Sequence, residues 1–275
     1  MKSVSRRVKM GIIGCGAIGS RMAKNITTEL KTYCCLTGLY DIDIPKAKEL
    51  AKRLAAKKAV KRSLKELITG CDFVIEAVNS SDTKEIIRQV LRAKRNILVM
   101  SVGRILNAPN LFALAAKNRC ALLIPSGALC GLDAIKAASQ VKISQIILTT
   151  RKPPSGFSQS VYLTKKGIDL KTIESELVLY DGTVQKAVKL FPQNVNVAAT
   201  LALASGAQEK IRVRIITSPE FKTNSHEVEV YGDFGKIISR TDNVVCPDNA
   251  KTSYLAVLSA IQTLKQYFQL IKIGT

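Results

Sequence analysis

Three sets of residues in this chain have the types and spacing to do chemistry. The first is the glycine loop inside Val8–Gly19 (VKMGIIGCGAIG), where Gly14, Gly16 and Gly19 are spaced as GxGxxG. Gly14 suits a tight turn, Gly16 lets the backbone approach a pyrophosphate, and Gly19 lets a helix pack closely on the preceding strand. With Ala17 and Ile18 between them, these residues point a helix N-terminus at phosphate oxygens. The second is Asp41, 22 residues beyond Gly19. A carboxylate there could accept hydrogen bonds from both hydroxyls of an adenosine ribose and would repel a 2′-phosphate, which favours NAD over NADP. Asp43 is an alternative, and DIDIP could equally be a turn that opens a helix at Pro45. The third is His226, the sole histidine of 275 residues. An imidazole can give and take a proton near neutral pH, as dehydrogenation of an alcohol or amine requires. A lone histidine at a strand opening can equally be a hydrogen-bonded structural residue.

The elements that must position these groups follow from the hydrophobic pattern. The apolar run Met10–Ile13 enters the glycine loop, and a helix pattern follows over Ser20–Leu30. Strands at Cys34–Tyr40, Asp72–Val78, Asn96–Val102 and Ala121–Pro125 alternate with helices at Ile44–Ala56, Ser63–Thr69, Thr83–Ala93 and Asn107–Asn118. Nearly continuous apolar strands separated by amphipathic helices predict an α/β fold, a Rossmann-type doubly wound parallel sheet covered on both faces. Loops at the strands' carboxyl ends, 77–81, 101–104 and 126–128, should line the cofactor crevice. Beyond residue 141 the alternation breaks down. Strands at Ile143–Thr150, Glu176–Tyr180, Ile211–Ser218, Glu227–Val230 and Lys236–Ser239, the last two joined by Gly232–Gly235, surround an alanine-rich helix at Val195–Ala204. This predicts a second α+β domain on a mostly antiparallel sheet. The last helix is expected over Lys251–Leu270, with Thr252 or Ser253 as its N-cap. The expected domains are 1–125, joined by the C-terminal helix region 251–275, and 126–250.

Composition narrows the function classes. The chain carries 42 Lys+Arg against 21 Asp+Glu, a net charge of +21. Such a field attracts anions generally. The densest basic run, Lys46–Lys65, has nine basic residues against Glu49 and no aromatic side chain. It reads as a solvated helix face, and no specific nucleic-acid partner is expected. No apolar stretch reaches the roughly 18 residues needed to span a bilayer, so no membrane partner is expected and the chain reads as cytoplasmic. Seven cysteines form no CxxC pair, which suggests reduced, mostly buried thiols and no metal.

Several strings resemble one family. Pro125–Ile135 (PSGALCGLDAI), Phe191–Leu203 (FPQNVNVAATLAL), Asn224–Glu229 (NSHEVE) and Lys251–Ile261 (KTSYLAVLSAI), with the glycine loop, are similar to the L-aspartate dehydrogenases. The resemblance implies transfer of the Cα hydride of L-aspartate to the nicotinamide of NAD or NADP, leaving iminoaspartate. The imine hydrolyses to oxaloacetate and ammonium or feeds quinolinate synthesis in NAD biosynthesis, with quinolinate synthase as a possible pathway partner. It implies that the NSHE histidine, His226, is the catalytic general acid/base. It also implies that Ala128, Asn196 and Asn194 contact the cofactor, although both asparagines could instead cap the following helix. A homodimer is the family expectation. Arg104 stands where a small residue is expected, and Ala250 where proline is common. The substrate carboxylates need cationic or amide partners, for which Lys136, Asn224 and backbone N–H groups near Gly127 are candidates. The alternatives are a dihydrodipicolinate- or homoserine-type dehydrogenase and a non-catalytic NAD-binding redox sensor.

Overall fold

The computed structural model describes residues 7–78, 80–158, 160–192, 195–247 and 249–274, with 249–251 as backbone only. It divides into two compact units. Met1–Pro125 with Ala260–Ile271 form the first, and Ser126–Ser259 with Lys272–Thr275 the second.

The first unit is built on β1 (Val8–Ile13), β2 (Cys34–Tyr40), β3 (Phe73–Glu76), β4 (Asn96–Val99) and β5 (Leu122–Leu123). They lie in the order β2-β1-β3-β4-β5, and every pair is parallel. Alternate side chains feed two cores. Met10, Ile12, Phe73, Ile75 and Leu98 meet α1 (Ala17–Thr27) and α2 (Ile44–Arg53), through residues such as Met22, Ile26 and Leu50. Ile13, Val74, Ile97 and Val99 meet α3 (Leu64–Thr69), α4 (Thr83–Arg92) and α6 (Pro109–Lys117), through Leu67, Ile87, Val90 and Leu111. Between β4 and α6 the chain makes one short helix, α5 (Val102–Ile105). Burial on both faces is why these strands read as unbroken apolar runs rather than alternating ones.

The second unit contains α7 (Leu132–Ala138), β6 (Ile143–Lys152), α8 (Val161–Lys165), β7 (Leu177–Thr183), α9 (Val184–Leu190), α10 (Asn196–Ser205), β8 (Ile211–Thr217), β9 (Asn224–Gly232) and β10 (Gly235–Asn243). Its sheet runs β10-β9-β6-β8-β7. The β6–β8 pair is parallel and the other three are antiparallel, so the sheet is mixed. One face is apolar, with Ile146, Leu148, Val213, Ile215, Val228 and Val230 buried. The other carries ion pairs, Arg151–Glu227 at 3.3 Å and Lys236–Glu229 at 3.3 Å among them. The β9–β10 hairpin is longer than its apolar core suggests, because its polar ends continue the same ladder from Asn224 to Asn243.

One sequence expectation changes at the C-terminal end. Residues 249–253 form β12 (Asn249–Ser253), paired with β11 (Val245–Cys246), and the final helix α11 (Tyr254–Phe268) starts three residues later than the pattern suggests. Its later turns belong to the first unit. Ala260 and Leu264 are fully buried with Met22 and Phe73, and the Tyr267 hydroxyl receives a hydrogen bond from Asn96 Nδ2 at 3.0 Å.

Candidate active site

The glycine loop sits at the carboxyl end of β1, where a doubly wound sheet binds its ligand. Gly14 adopts φ +92°, and a Cβ there would meet the Ala77 carbonyl oxygen at 2.5 Å. Only glycine meets both demands. Gly19 leaves no room either, because a Cβ would run into the Gly14 carbonyl. Gly16 differs. It is exposed, it caps α1 with no side-chain hydrogen bond, and a Cβ there would meet nothing within 4 Å. The loop therefore has the form of a phosphate cradle: two glycines set by packing, and one bordering open space at the positive end of a helix. Ala17 and Ile18, partly exposed, form the first turn of α1.

Asp41 follows β2 and reaches this loop. Its two carboxylate oxygens accept from the Cys15 N–H at 2.7 Å and the Asp43 N–H at 2.9 Å. The carboxylate is thus fixed beside the turn, with lone pairs left to accept further hydrogen bonds. Asp43, the alternative, is paired with Lys46 at 3.2 Å. Burial and the Asp41 charge push the Cys15 thiol up to about 12, so it is inert near neutral pH.

Glu76 carries weight that the sequence reading did not give it. This fully buried acid ends β3 and ties two crevice loops together. It accepts from Val78 N at 3.0 Å, Met100 N at 3.2 Å, Ser101 N at 3.1 Å and Ser101 Oγ at 2.8 Å. Burial pushes its carboxyl pKa up, and these donors pull it back. An acid inside the apolar run Phe73–Val78 was the available signal.

In the second unit, His226 lies in mid-sheet on β9, opposite Thr150 of β6 and Thr241 of β10. Directly opposed residues share a face, and His226 Nδ1 lies 3.0 Å from Thr150 Oγ1. The ring is 3 % exposed. Burial, then the charge of Lys152, push its pKa down to about 3, so the imidazole is neutral across the physiological range. The same β10 residue fixes the Ala128 loop: Thr241 Oγ1 donates to the Ala128 carbonyl at 2.7 Å. His226 and Ala128, far apart in sequence, are thus linked through one threonine. Gly127, at φ +66°, brings this loop near α10, 3.8 Å from Val197 Cγ1 by its virtual Cβ. Asn196 is the exposed first residue of α10, and Val195 occupies the cap position. Phe191, packed edge-on against Phe157, Tyr162 and Tyr180, anchors the approach to that helix. Asn194 lies outside the described residues. Asn224 is buried, whereas Lys136 is exposed on α7.

The seven cysteines are free thiols. Cys130 is the exposed one, whereas Cys15, Cys34, Cys71 and Cys246 are buried. Among the described residues no group of three His, Cys, Asp or Glu side chains could hold a metal ion, and no helix is long and apolar enough to cross a membrane.

A parallel sheet with a glycine cradle and an acid fixed at its loop, together with a second mixed-sheet unit that holds a buried histidine, defines a pyridine-nucleotide-binding oxidoreductase of the two-unit kind. Comparison with known proteins narrows this. The NAD-binding domain of homoserine dehydrogenase matches residues 14–125, and the C-terminal region of aspartate dehydrogenase matches residues 133–267. An L-aspartate dehydrogenase of Methanosarcina mazei is 42 % identical over 98 % of this chain and all of its own length. One of Methanococcus maripaludis is 36 % identical with the same coverage. The chain belongs to the L-aspartate dehydrogenase family. The crystal structure of an aspartate dehydrogenase from Thermotoga maritima has the same fold, with TM-score 0.72 and 24 % identity over 98 % of this chain and all of that one. A homoserine dehydrogenase from Thiobacillus denitrificans shares the fold more distantly, with TM-score 0.57 and 12 % identity over 94 % and 72 % of the two chains.

Proposed function

We propose that this protein oxidises L-aspartate with NAD or NADP, giving iminoaspartate and then oxaloacetate and ammonium. The observation that carries the reading is His226: the histidine of the NSHE string is buried and neutral, with its ring oriented by Thr150. The nicotinamide, when bound, accepts the substrate's Cα hydride. The chain's own residues do the rest. Gly14, Gly16, Ala17, Ile18 and Gly19 take the pyrophosphate, Asp41 takes the adenosine ribose, and Ala128, Asn196 and Asn194 take the nicotinamide end. With Nδ1 engaged by Thr150, His226 works through Nε2. Nε2 removes a proton from the water that attacks the imine carbon and returns it to the departing amine. A neutral imidazole is the form competent to begin that step. The fixed Asp41 carboxylate favours NAD over NADP.

The finer expectations belong to the same reading. The product imine suits a role in NAD biosynthesis alongside quinolinate synthase, in the cytoplasm, with the chain acting as a homodimer. A panel of L-aspartate and L-homoserine, each with NAD and NADP, and of dihydrodipicolinate with NADH and NADPH, followed at the reduced-nicotinamide band, tests the assignment. Turnover is expected with L-aspartate. Turnover confined to either of the other two would move the protein to a sister class, and cofactor binding without turnover of any would leave the redox-sensor alternative.

A further inference from the structure

The histidine row has a neighbour that nothing above assigns. Two residues further along β6 from Thr150, and on the same face by strand alternation, stands Lys152. It is paired in register with Thr217 of β8 and is 8 % exposed. Arg151 pairs with Ser225, so Lys152 and Asn224 are next to each other across β6 and β9. Asn224 pairs in turn with Asn243 of β10. The result is a second row, Thr217, Lys152, Asn224 and Asn243, buried directly beside the row that holds His226. Ser218 and Ser253 are buried too, and Asn224 Nδ2 donates to Ser253 Oγ at 3.4 Å.

The chemistry of this row is specific. Among its described residues one side chain is a cation and the others are neutral amides and hydroxyls, with no carboxylate. The ammonium acts electrically on His226, which places the two groups in one environment. Burying a lysine is costly, and burial alone lowers its pKa to about 8, so it is still largely protonated at neutral pH. A site of this make-up recognises one carboxylate: a point charge for the anion and amide donors for its oxygens. The rows are about 6.6 Å apart along the strand. With the imidazole at the reacting Cα, the cation suits the more distant of the two carboxylates.

We propose that Lys152 is the cation that receives the side-chain carboxylate of the substrate, with Asn224 beside it, and so sets the preference for a dicarboxylic over a neutral amino acid. This rests on the reading of the chain as an aspartate oxidoreductase. Lys152 is a binding and specificity residue here, and the proton transfer remains with His226.

The test combines turnover with a binding signal that needs none. In Lys152→Met, KM for L-aspartate should rise at least tenfold and the aspartate-to-asparagine ratio of kcat/KM should fall at least tenfold. Affinity for NADH should not move, and Lys152→Arg should recover part of the ratio. A merely structural lysine would lower both substrates together and leave the ratio where it was, which would overturn the proposal. Binding is read from the single imidazole resonance of histidine-labelled protein: succinate should shift it in the wild type and butyrate should not. Equal shifts from both would also overturn the proposal, even if Lys152→Met did not fold. If the wild type fails to oxidise L-aspartate yet shows a succinate shift that Lys152→Met lacks, the assigned reaction fails and the carboxylate site stands. If L-aspartate is oxidised and Lys152→Met keeps its selectivity, the site fails and the reaction stands.

Discussion

The buried imidazole makes stability depend on pH in a way that one substitution isolates. His226 has an ordinary pKa of 6.5 when unfolded and about 3 in the folded protein. Below pH 6.5 the unfolded chain binds a proton that the folded chain refuses. The stability this group confers is therefore complete above 6.5 and is lost as pH falls towards 3. The slope approaches about 1.4 kcal/mol per pH unit. Integrated from pH 7 to pH 5, the loss is about 2 kcal/mol. In His226→Gln this proton linkage is absent. Glu76, whose pKa is pushed up, contributes with the opposite sign, but it is common to both proteins and cancels in the difference. Lys152 stays mostly charged throughout that interval. Urea unfolding of both proteins at pH 7 and pH 5 gives the comparison. The wild type should lose about 2 kcal/mol more than the variant. Because the chain has one histidine, the imidazole resonance can be titrated without assignment, and it should show no midpoint above pH 5. A midpoint near 6.5, or the same pH dependence in both proteins, would refute the burial argument.

Other outcomes follow from the cofactor unit. Gly16→Ala should change stability by less than about 0.5 kcal/mol, because its Cβ meets nothing, yet weaken NADH binding at least tenfold by fluorescence titration. Gly14→Ala should cost roughly 2 kcal/mol or more in denaturant, from its left-handed backbone and the Ala77 carbonyl together. Asp41→Ala should weaken NAD far more than NADP and bring their kcat/KM values together, since it removes the ribose acceptor and the charge opposed to a 2′-phosphate. Glu76→Gln replaces an acceptor of four hydrogen bonds by a group that is half donor. It should lose about 2–4 kcal/mol of stability, measured by urea titration, and loosen both loops of the crevice.

Much of this architecture is legible because parallel strands advertise themselves. Cys34–Tyr40 is a strand over the residues its apolar run marks, and the glycine loop announces the turn and helix that follow. The second unit is less legible. Parallel pairing of β6 with β8 joins segments some sixty residues apart, and no local pattern encodes it. Helix α7 hides in PSGALCGLDAI, a string of turn formers, and begins after Gly131 at φ +75°. The helical pattern sets the final helix too early because the chain up to Ser253 pairs with β11, a tertiary choice that overrides local propensity. Lys152 is hidden in the sequence for a related reason. In TTRKPP it resembles a solvated charge at a strand end. Its period-two spacing from Ile146, Leu148 and Thr150 puts it on the buried face, and that spacing was the available signal.

The most direct measurement is the initial rate of NAD reduction by L-aspartate, taken on the wild type and on His226→Gln, with NADH affinity measured for both. The wild type should turn over, and run backwards with oxaloacetate, ammonium and NADH, whereas the variant should bind NADH equally well but turn over at least a hundredfold more slowly, a loss on the scale of general acid/base catalysis. A wild type that binds NADH but reduces no NAD with L-aspartate, or a variant that keeps its full rate, would contradict it.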